Sequence, residues 1–490
     1  MTHPLAKLPQ QLMPYADRNQ FAVEIYLPTG TDVKQTAEIA DSLEHILRQD
    51  NRVVSVASFK GCASPRFQTT YAPQIAGTNF AQFIVNTTGV EETVTLLNEY
   101  APRYTDYFPN ARIRFKQLSY NEAVYPIEIR LSGDDREAIK KDADSIKTIL
   151  QGIPGLILVQ TDQNEPLAAS DIILREDEAS RLGISNLNIE TTLAMRYGSG
   201  IPLTDMWEGD YAIPVVLKSE KSDSASLTDL QNELIPVAGG ASYVPLRQIA
   251  DVIPAWKESQ IIRRNGICTL TIMAEVERGR NTMEAMSLVQ QKMSSFHFSP
   301  GVSMNYGGDY EDSAEKMPPV MAGLMVAAVV IFFILVIHFH KVNIATLIFS
   351  NMTLCLFGTA VGILIQGVDF SITCVLGIVS LMGIIVRNGI IMIDYAEELR
   401  VTEGMSASDA IYHSARRRMR PIFLTSAAAS MGVIPMILGK SGLWMPMGTV
   451  ICYGTLITMV FLLTVLPCAY LLIFRGSSRK RLQAASLEKQ

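Results

Sequence analysis

The chain is poor in residues that build sites on their own. It has six cysteines and six histidines in 490 residues, with no CxxC pair and no mixed Cys/His cluster. Neither a zinc site nor a disulfide framework is expected from such a set. The tripeptide "HFH" (His338–His340) precedes Lys341 at the end of an apolar run, a position that suits an interfacial flank better than a metal site. No basic stripe with interleaved aromatics is present, so no nucleic-acid partner is expected, and the net charge of −6 is mild. No His/Ser/Asp set, carboxylate pair or phosphate loop marks a catalytic residue, which argues against an enzyme. The opening "MTHPLAKLPQQLMPYADRNQ" lacks an apolar core and reads as neither signal peptide nor membrane anchor.

What the sequence has is two kinds of composition. Up to about residue 317 charged and apolar residues alternate as in a water-soluble protein; beyond it come long apolar runs. Five runs are long enough to span a bilayer, at about 318–338, 343–366, 370–396, 421–439 and 445–474. The first opens on Pro318-Pro319, which a first helical turn tolerates, and the last carries Pro446 and Pro467 and is expected to tilt or kink. Basic residues concentrate beside Lys341, between Arg400 and Arg420, and after Arg475, while the opposite connections are nearly bare. The positive-inside rule puts the basic side in the cytoplasm and the amino-terminal part across the membrane, in a bacterium the periplasm. With no export signal to carry it there, either a spanning helix belongs upstream or the chain is one part of a split protein.

The soluble part repeats strand–helix–strand. "FAVEIYLPTG", "TDVKQTAEIADSLEHILRQD" and "RVVSVASF" are followed by "FAQFIVNT", "VEETVTLLNEYAPRY" and "ARIRFKQL", the split βαβ order of a ferredoxin-like sandwich. A second module starts at "YPIEIRLSG" and finds its matching half only at "CTLTIMAEV" and "VSMNYGG", so a separate segment with strands such as "YAIPVVLKS" and "YVPLRQIADVI" interrupts it. The expected fold is therefore α+β, with two ferredoxin-like modules and an insertion, followed by an all-α bundle of five transmembrane helices. The expected divisions are an unstructured or extended segment 1–19, a first module 20–122, a second module 123–162 and 263–317, an insertion 163–262, a membrane domain 318–475 and a cytoplasmic tail 476–490.

Several motifs carry a resemblance over nearly the whole chain: "NFAQFIVNT", "RLGISNLNIE", "IPVVL", "VPLRQIA", "RRNG", "GGDYEDSAE", "GIIVRNGIIMIDYAEELR" and "RMRPIFLTSAAASMGVIPMILG". Together, in this order, they resemble the carboxy-terminal half of resistance–nodulation–division (RND) efflux transporters, hydrophobe/amphiphile branch. The resemblance implies two porter subdomains, an inserted docking subdomain and helices eight to twelve of twelve. It implies an inner-membrane protein, a homotrimer with a periplasmic adaptor and an outer-membrane channel, and export of small amphiphilic compounds driven by a proton gradient without other cofactor. The amino-terminal half is the implied missing partner, and membrane lipid the surroundings. Relatives that move metal ions, lipids or protein, or a non-functional remnant, are the competing readings.

The same resemblance points to a proton relay. Arg387-Asn388 stands where family members carry a lysine and asparagine, Thr425 where they carry a relay threonine, and Arg418 where an arginine lines proton exit. A mid-membrane arginine costs several kcal/mol unless compensated. Arginine stays charged at any relevant pH, so it can tune a partner carboxylate but not release the proton itself. No aspartate of this chain is well placed: Asp369 is at the far helix end, and Asp394 is about 10 Å along the axis. The carboxylate is therefore expected on the absent half; the alternative is that Arg387 pairs with carbonyls and only fixes packing. On the soluble side, Phe67 and Tyr71 in the loop Phe59–Phe80 are the candidates for the substrate path.

Overall fold

A computed structural model describes residues 13–72, 74, 77–163, 165–198, 200–220, 225–237 and 242–487, with side chains to residue 474. Residues 1–12 of the expected amino-terminal segment and 488–490 of the expected tail lie outside the described residues.

The first module runs β1 (Gln20–Tyr26), α1 (Val33–Arg48), β2 (Val53–Lys60), β3 (Phe80–Thr87), α2 (Val90–Tyr104) and β4 (Arg112–Gln117). Its strands form one antiparallel sheet in the order β2-β3-β1-β4. Asp32 caps α1 by accepting from the Lys34 amide, as its place before the helical spacing predicts. Successive strand residues point to opposite faces. Phe21, Val23 and Ile25 of β1 thus meet Leu43, Leu47, Leu96 and Leu97 of the helices, while Ala22 and Glu24 face the other way. Both faces of β1 are nevertheless buried.

The second module opens with β5 (Ile127–Ser132), α3 (Arg136–Gln151) and β6 (Leu156–Thr161). The chain then leaves for a separate compact unit, Asn164–Ile261 with Pro28–Gly30. That unit holds β7 (Leu167–Leu174), α4 (Glu176–Arg181), α5 (Asn186–Tyr197), β8 (Ile201–Glu208), β9 (Tyr211–Leu217), α6 (Leu227–Gln231), β10 (Leu234–Pro236), β11 (Tyr243–Pro245), α7 (Leu246–Ile249) and β12 (Ala250–Lys257). Part of the expected strand "YVPLRQIADVI" is α7, because Leu246 and Ile249, three apart, both turn into the small core around Ile184, Ile189 and Ile235. Among the described residues the hairpin β8–β9 pairs only with itself. Returning, the chain forms β13 (Arg263–Arg264), β14 (Ile267–Val276), α8 (Thr282–Met293) and β15 (Ser303–Gly308). β14 pairs with β5 and β6, and β15 with β5, giving the order β6-β14-β5-β15.

Five helices follow: α9 (Asp309–Phe339), α10 (Val342–Gln366), α11 (Ile372–Thr402), α12 (Ala407–Leu438) and α13 (Met445–Leu487). All five are long and apolar enough to cross a membrane. One expectation is corrected. The first helix starts at Asp309 rather than near 318, so Pro318 and Pro319 lie inside it and not in its first turn. Asp309, Glu311 and Asp312 explain the early start, since carboxylates favour a helix amino terminus. The basic connection after α11 is helical from Ala407, so Arg416–Arg420 lie in the first part of α12, and α13 runs on as a helix past its candidate span Met445–Phe474 through Leu487. Gly308 joins β15 to α9 at φ +72°, and a Cβ there would lie 2.5 Å from the Pro126 carbonyl oxygen.

Candidate functional site

α11 and α12 meet through a buried polar contact. Asn388, 4% exposed, donates from Nδ2 to Ser426 Oγ at 3.3 Å, and its Oδ1 has no hydrogen-bond partner among the described residues. The residue before Asn388 and the residue before Ser426 are Arg387 and Thr425, and both are exposed on the bundle surface. Thr425 Oγ1 lies 3.1 Å from the carbonyls of Pro421 and Ile422, a hydroxyl bonded back along its own helix. Beyond the first turns of α9, where Glu311, Asp312 and Lys316 are paired, the side-chain ion pairs of the bundle among the described residues are His338–Asp394, Lys341–Glu397 and Arg400–Glu397; Arg387 is in none of them. Asp394, at 62% exposed, faces His338 across 3.4 Å and not Arg387.

Arg418 is not part of this group. It lies seven residues before Thr425, about 10 Å along the helix, and its guanidinium stacks over the Tyr395 ring at 4.8 Å. Arg417 donates to the Tyr395 hydroxyl at 2.6 Å. The sequence alone did not single out Ser426 or Tyr395; the small-residue run "TSAAAS" was the available signal for the first, since small side chains let two helices approach.

Tyr71 does not open onto a cleft. It is 3% exposed, donates to the Glu24 carboxylate and accepts from Gln82 Nε2 at 2.8 Å. Phe67 packs against it with ring centroids 4.9 Å apart. Tyr71 is thus turned inward while Phe67 stays half-buried: a buried carboxylate needs donors, and the loop folds inward to supply one.

That carboxylate belongs to a polar row across the first sheet. Register sets Gln82 of β3 and Arg114 of β4 on either side of Glu24. Arg114 donates to Glu24 Oε2 at 3.1 Å and to the Val124 carbonyl at 2.7 Å. It also reaches Glu275 on β14 of the second module, with Nε to Oε1 at 2.6 Å, and covers the Tyr125 ring at 3.7 Å. The guanidinium is almost fully buried, so it fastens the two modules together. Burial pushes the Glu24 carboxyl up, yet Arg114, Lys116 and the Tyr71 hydroxyl outweigh it and hold it below the usual carboxylate range. Burial and the neighbouring Arg114 lower Lys116 to about 8. A cavity of about 90 Å³ adjoins this row, lined among others by Tyr15, Arg114, Lys116, Asn121, Glu275 and Arg278. Its walls mix these polar groups with the apolar side chains of Met13, Phe115, Ile157, Leu158 and Val276. Among the described residues no three His, Cys, Asp or Glu side chains converge as a metal-holding set.

Comparison with known proteins gives this geometry a family. The chain is 27% identical over 374 residues to the cobalt-zinc-cadmium resistance protein CzcA of Cupriavidus metallidurans, covering 73% of this chain and 35% of that protein. It is 25% identical over 490 residues to protein HelA of Legionella pneumophila, covering 96% and 46%. Against the swarming motility protein SwrC of Bacillus subtilis it is 24% identical, covering 71% and 33%. Among solved structures, a heavy metal efflux pump shares the fold with a TM-score of 0.80 at 22% identity, over 96% of this chain and 49% of that one. The chain thus spans between a third and a half of the length of these relatives. The model of the AcrB/AcrD/AcrF family matches residues 1–474, and this chain belongs to that family of RND efflux permeases.

Proposed function

We propose that the chain is the carboxy-terminal half of a proton-driven exporter of the bacterial inner membrane, with Arg387 as the fixed cation of its proton relay. The observation that carries this is a guanidinium exposed midway along an apolar helix, beside a buried Asn388–Ser426 contact and outside every ion pair of the described bundle. A permanent charge at that depth needs a carboxylate, and a carboxylate that protonates releases it. That partner is proposed on the amino-terminal half. Asn388 and Thr425 flank the site on α11 and α12; Arg418, stacked on Tyr395, serves the end where protons leave. The two modules act as ferredoxin-like porter subdomains, a reading supported by their shared strand order, and the insertion acts as a docking subdomain in a trimer with a periplasmic adaptor and an outer-membrane channel.

For the cargo, a divalent heavy-metal cation is the first reading. The similarity to CzcA and to the nickel and cobalt resistance protein CnrA, both named for metal resistance, favours it. The amphiphile reading rests on the motifs of the membrane helices. The test co-reconstitutes the chain with the amino-terminal half of a family member in liposomes bearing an imposed pH gradient. Cobalt or zinc movement and dye movement are followed in parallel. Coupled transport is expected to vanish in Arg387→Ala while the assembly keeps its size; undiminished coupling in that variant rejects the relay, and the cargo that moves decides between the two readings.

A further inference from the structure

α12 changes character along one face. His413, Arg416, Arg417 and Arg420, spaced three, one and three apart, share a stripe of the helix, and all four are exposed. The same side continues into Phe423 and Leu424, 55% and 67% exposed. From Pro421 to Leu438 the helix is about 27 Å long at 1.5 Å per residue, close to the roughly 30 Å of a bilayer's hydrocarbon. The arginine stripe therefore sits one turn outside the hydrocarbon, at headgroup depth. It lies at the end of the bundle away from the soluble modules, because α9 leaves the second module at Asp309 and α11 and α12 join between Thr402 and Ala407.

Three carboxylates at that end are engaged elsewhere, and the exposed Glu398 and Glu403 form no ion pair with the arginines among the described residues. Glu397 is held by Lys341 and Arg400, Asp394 faces His338, and Asp409 accepts from Ser406 at the start of α12. Among the described residues none of Arg416, Arg417, Arg418 and Arg420 has an ion-pair partner. Tyr395 nevertheless fixes the set: Arg417 bonds its hydroxyl at 2.6 Å and Arg418 stacks on its ring. Arg416 and Arg420, one turn apart, are left as two free planar donors about 6 Å apart along the axis. Guanidinium groups so placed match the oxygens of a phosphate.

We propose that Arg416, Arg417 and Arg420 bind the phosphate of an anionic membrane phospholipid, with Phe423 and Leu424 against its acyl chains. Charge complementarity and the abrupt change from basic to apolar surface select a lipid over a free anion, which has no use for the apolar part. Polybasic segments at this depth attract anionic lipid in proportion to their number of cations.

The test is native mass spectrometry of the purified 490-residue chain in mild detergent, titrated with phosphatidylglycerol, with phosphatidylcholine of the same acyl chains, and with inorganic phosphate. Phosphatidylglycerol is expected to bind at least about tenfold more tightly than phosphatidylcholine, and Arg416→Gln/Arg420→Gln to weaken it about thirtyfold, the effect of two cations. Arg416→Lys/Arg420→Lys, which keeps the charge but not the forks, is expected to fall between. Equal binding of the two lipids, or an unchanged preference in the glutamine pair with its helicity and elution intact, overturns the proposal. So does phosphate competing as well as the lipid, which would mark a site for free anions.

Discussion

Replacing Arg114 by methionine tests the junction between the modules most directly. The substitution keeps the length of the aliphatic stem and removes a guanidinium that is 3% exposed. It leaves Glu24, fully buried, with the Tyr71 and Tyr26 hydroxyls and the more distant Lys116 as its polar neighbours. Glu275 is partly open to solvent and can rehydrate, so the cost falls mainly on Glu24. Removing one partner of a buried pair costs about 3–5 kcal/mol, a factor of roughly one hundred to several thousand in a local opening equilibrium. Hydrogen exchange of the β1 and β4 amides, read by mass spectrometry on the chain in detergent, reports that equilibrium. In the parent protein the Glu24 carboxyl is held below its ordinary value of 4.5. Its contribution is therefore complete above that value and lost as pH falls through the lower folded one. In Arg114→Met burial dominates, the carboxyl moves up, and the deficit is greatest at neutral pH and shrinks on acidification. Glu24→Gln/Arg114→Met removes the stranded charge and is expected to restore most of the protection. Exchange in Arg114→Met within threefold of the parent at neutral pH would refute the reasoning, because it would mean the buried carboxylate does not need this cation.

Other outcomes follow from separate parts of the structure. Lys116 is lowered to about 8, so the unfolded chain holds its proton more readily between that pH and its ordinary 10.5, and the first module should gain stability as pH rises through this window. Labelling of Lys116 with an amine-selective reagent should show a midpoint near 8, and Lys116→Gln should flatten the pH dependence. Gly308→Ala forces a left-handed conformation and a contact with the Pro126 carbonyl, with an expected loss of about 1–3 kcal/mol and weakened protection at the β15–β5 edge; wild-type exchange there would contradict it. Drug and metal tolerance of a strain without its own RND pumps should be unchanged by this chain expressed alone, and raised tolerance would show that the relay carboxylate is not on another polypeptide.

Much of the architecture was legible because periodicity and hydrophobicity are written locally. The strand–helix–strand repeats, the interruption of the second module and the five apolar spans follow from patterns of fewer than about 20 residues. The beginning of α9 was missed because prolines read as a first turn, whereas the three carboxylates ahead of them already favour helix. The polar row of Gln82, Glu24 and Arg114 was illegible for a different reason. "FAVEIYL" shows a glutamate at an alternating position, the usual mark of a solvent-facing residue, and it becomes interior because the loop carrying Phe67 and Tyr71 folds over that face and Arg114 bridges it to the second module. Tyr71 was misassigned by the same route, since its partner is set by tertiary register rather than spacing. Arg387 was legible as an anomaly, a cation within an apolar run, and the surface position it occupies could be found only from the packing of α11 against its neighbours.

The direct passage from β15 into α9 has a mechanical consequence. With a single glycine between sheet and membrane helix, no slack exists to absorb a displacement, so tilting α9 must drag the edge of the second module with it. The double proline at 318–319 interrupts the rod partway, because its two missing amide protons release the carbonyls one turn earlier and weaken bending resistance there. Force entering from the bilayer is thus passed to the sheet edge along one continuous helix whose weakest point in bending is the proline pair.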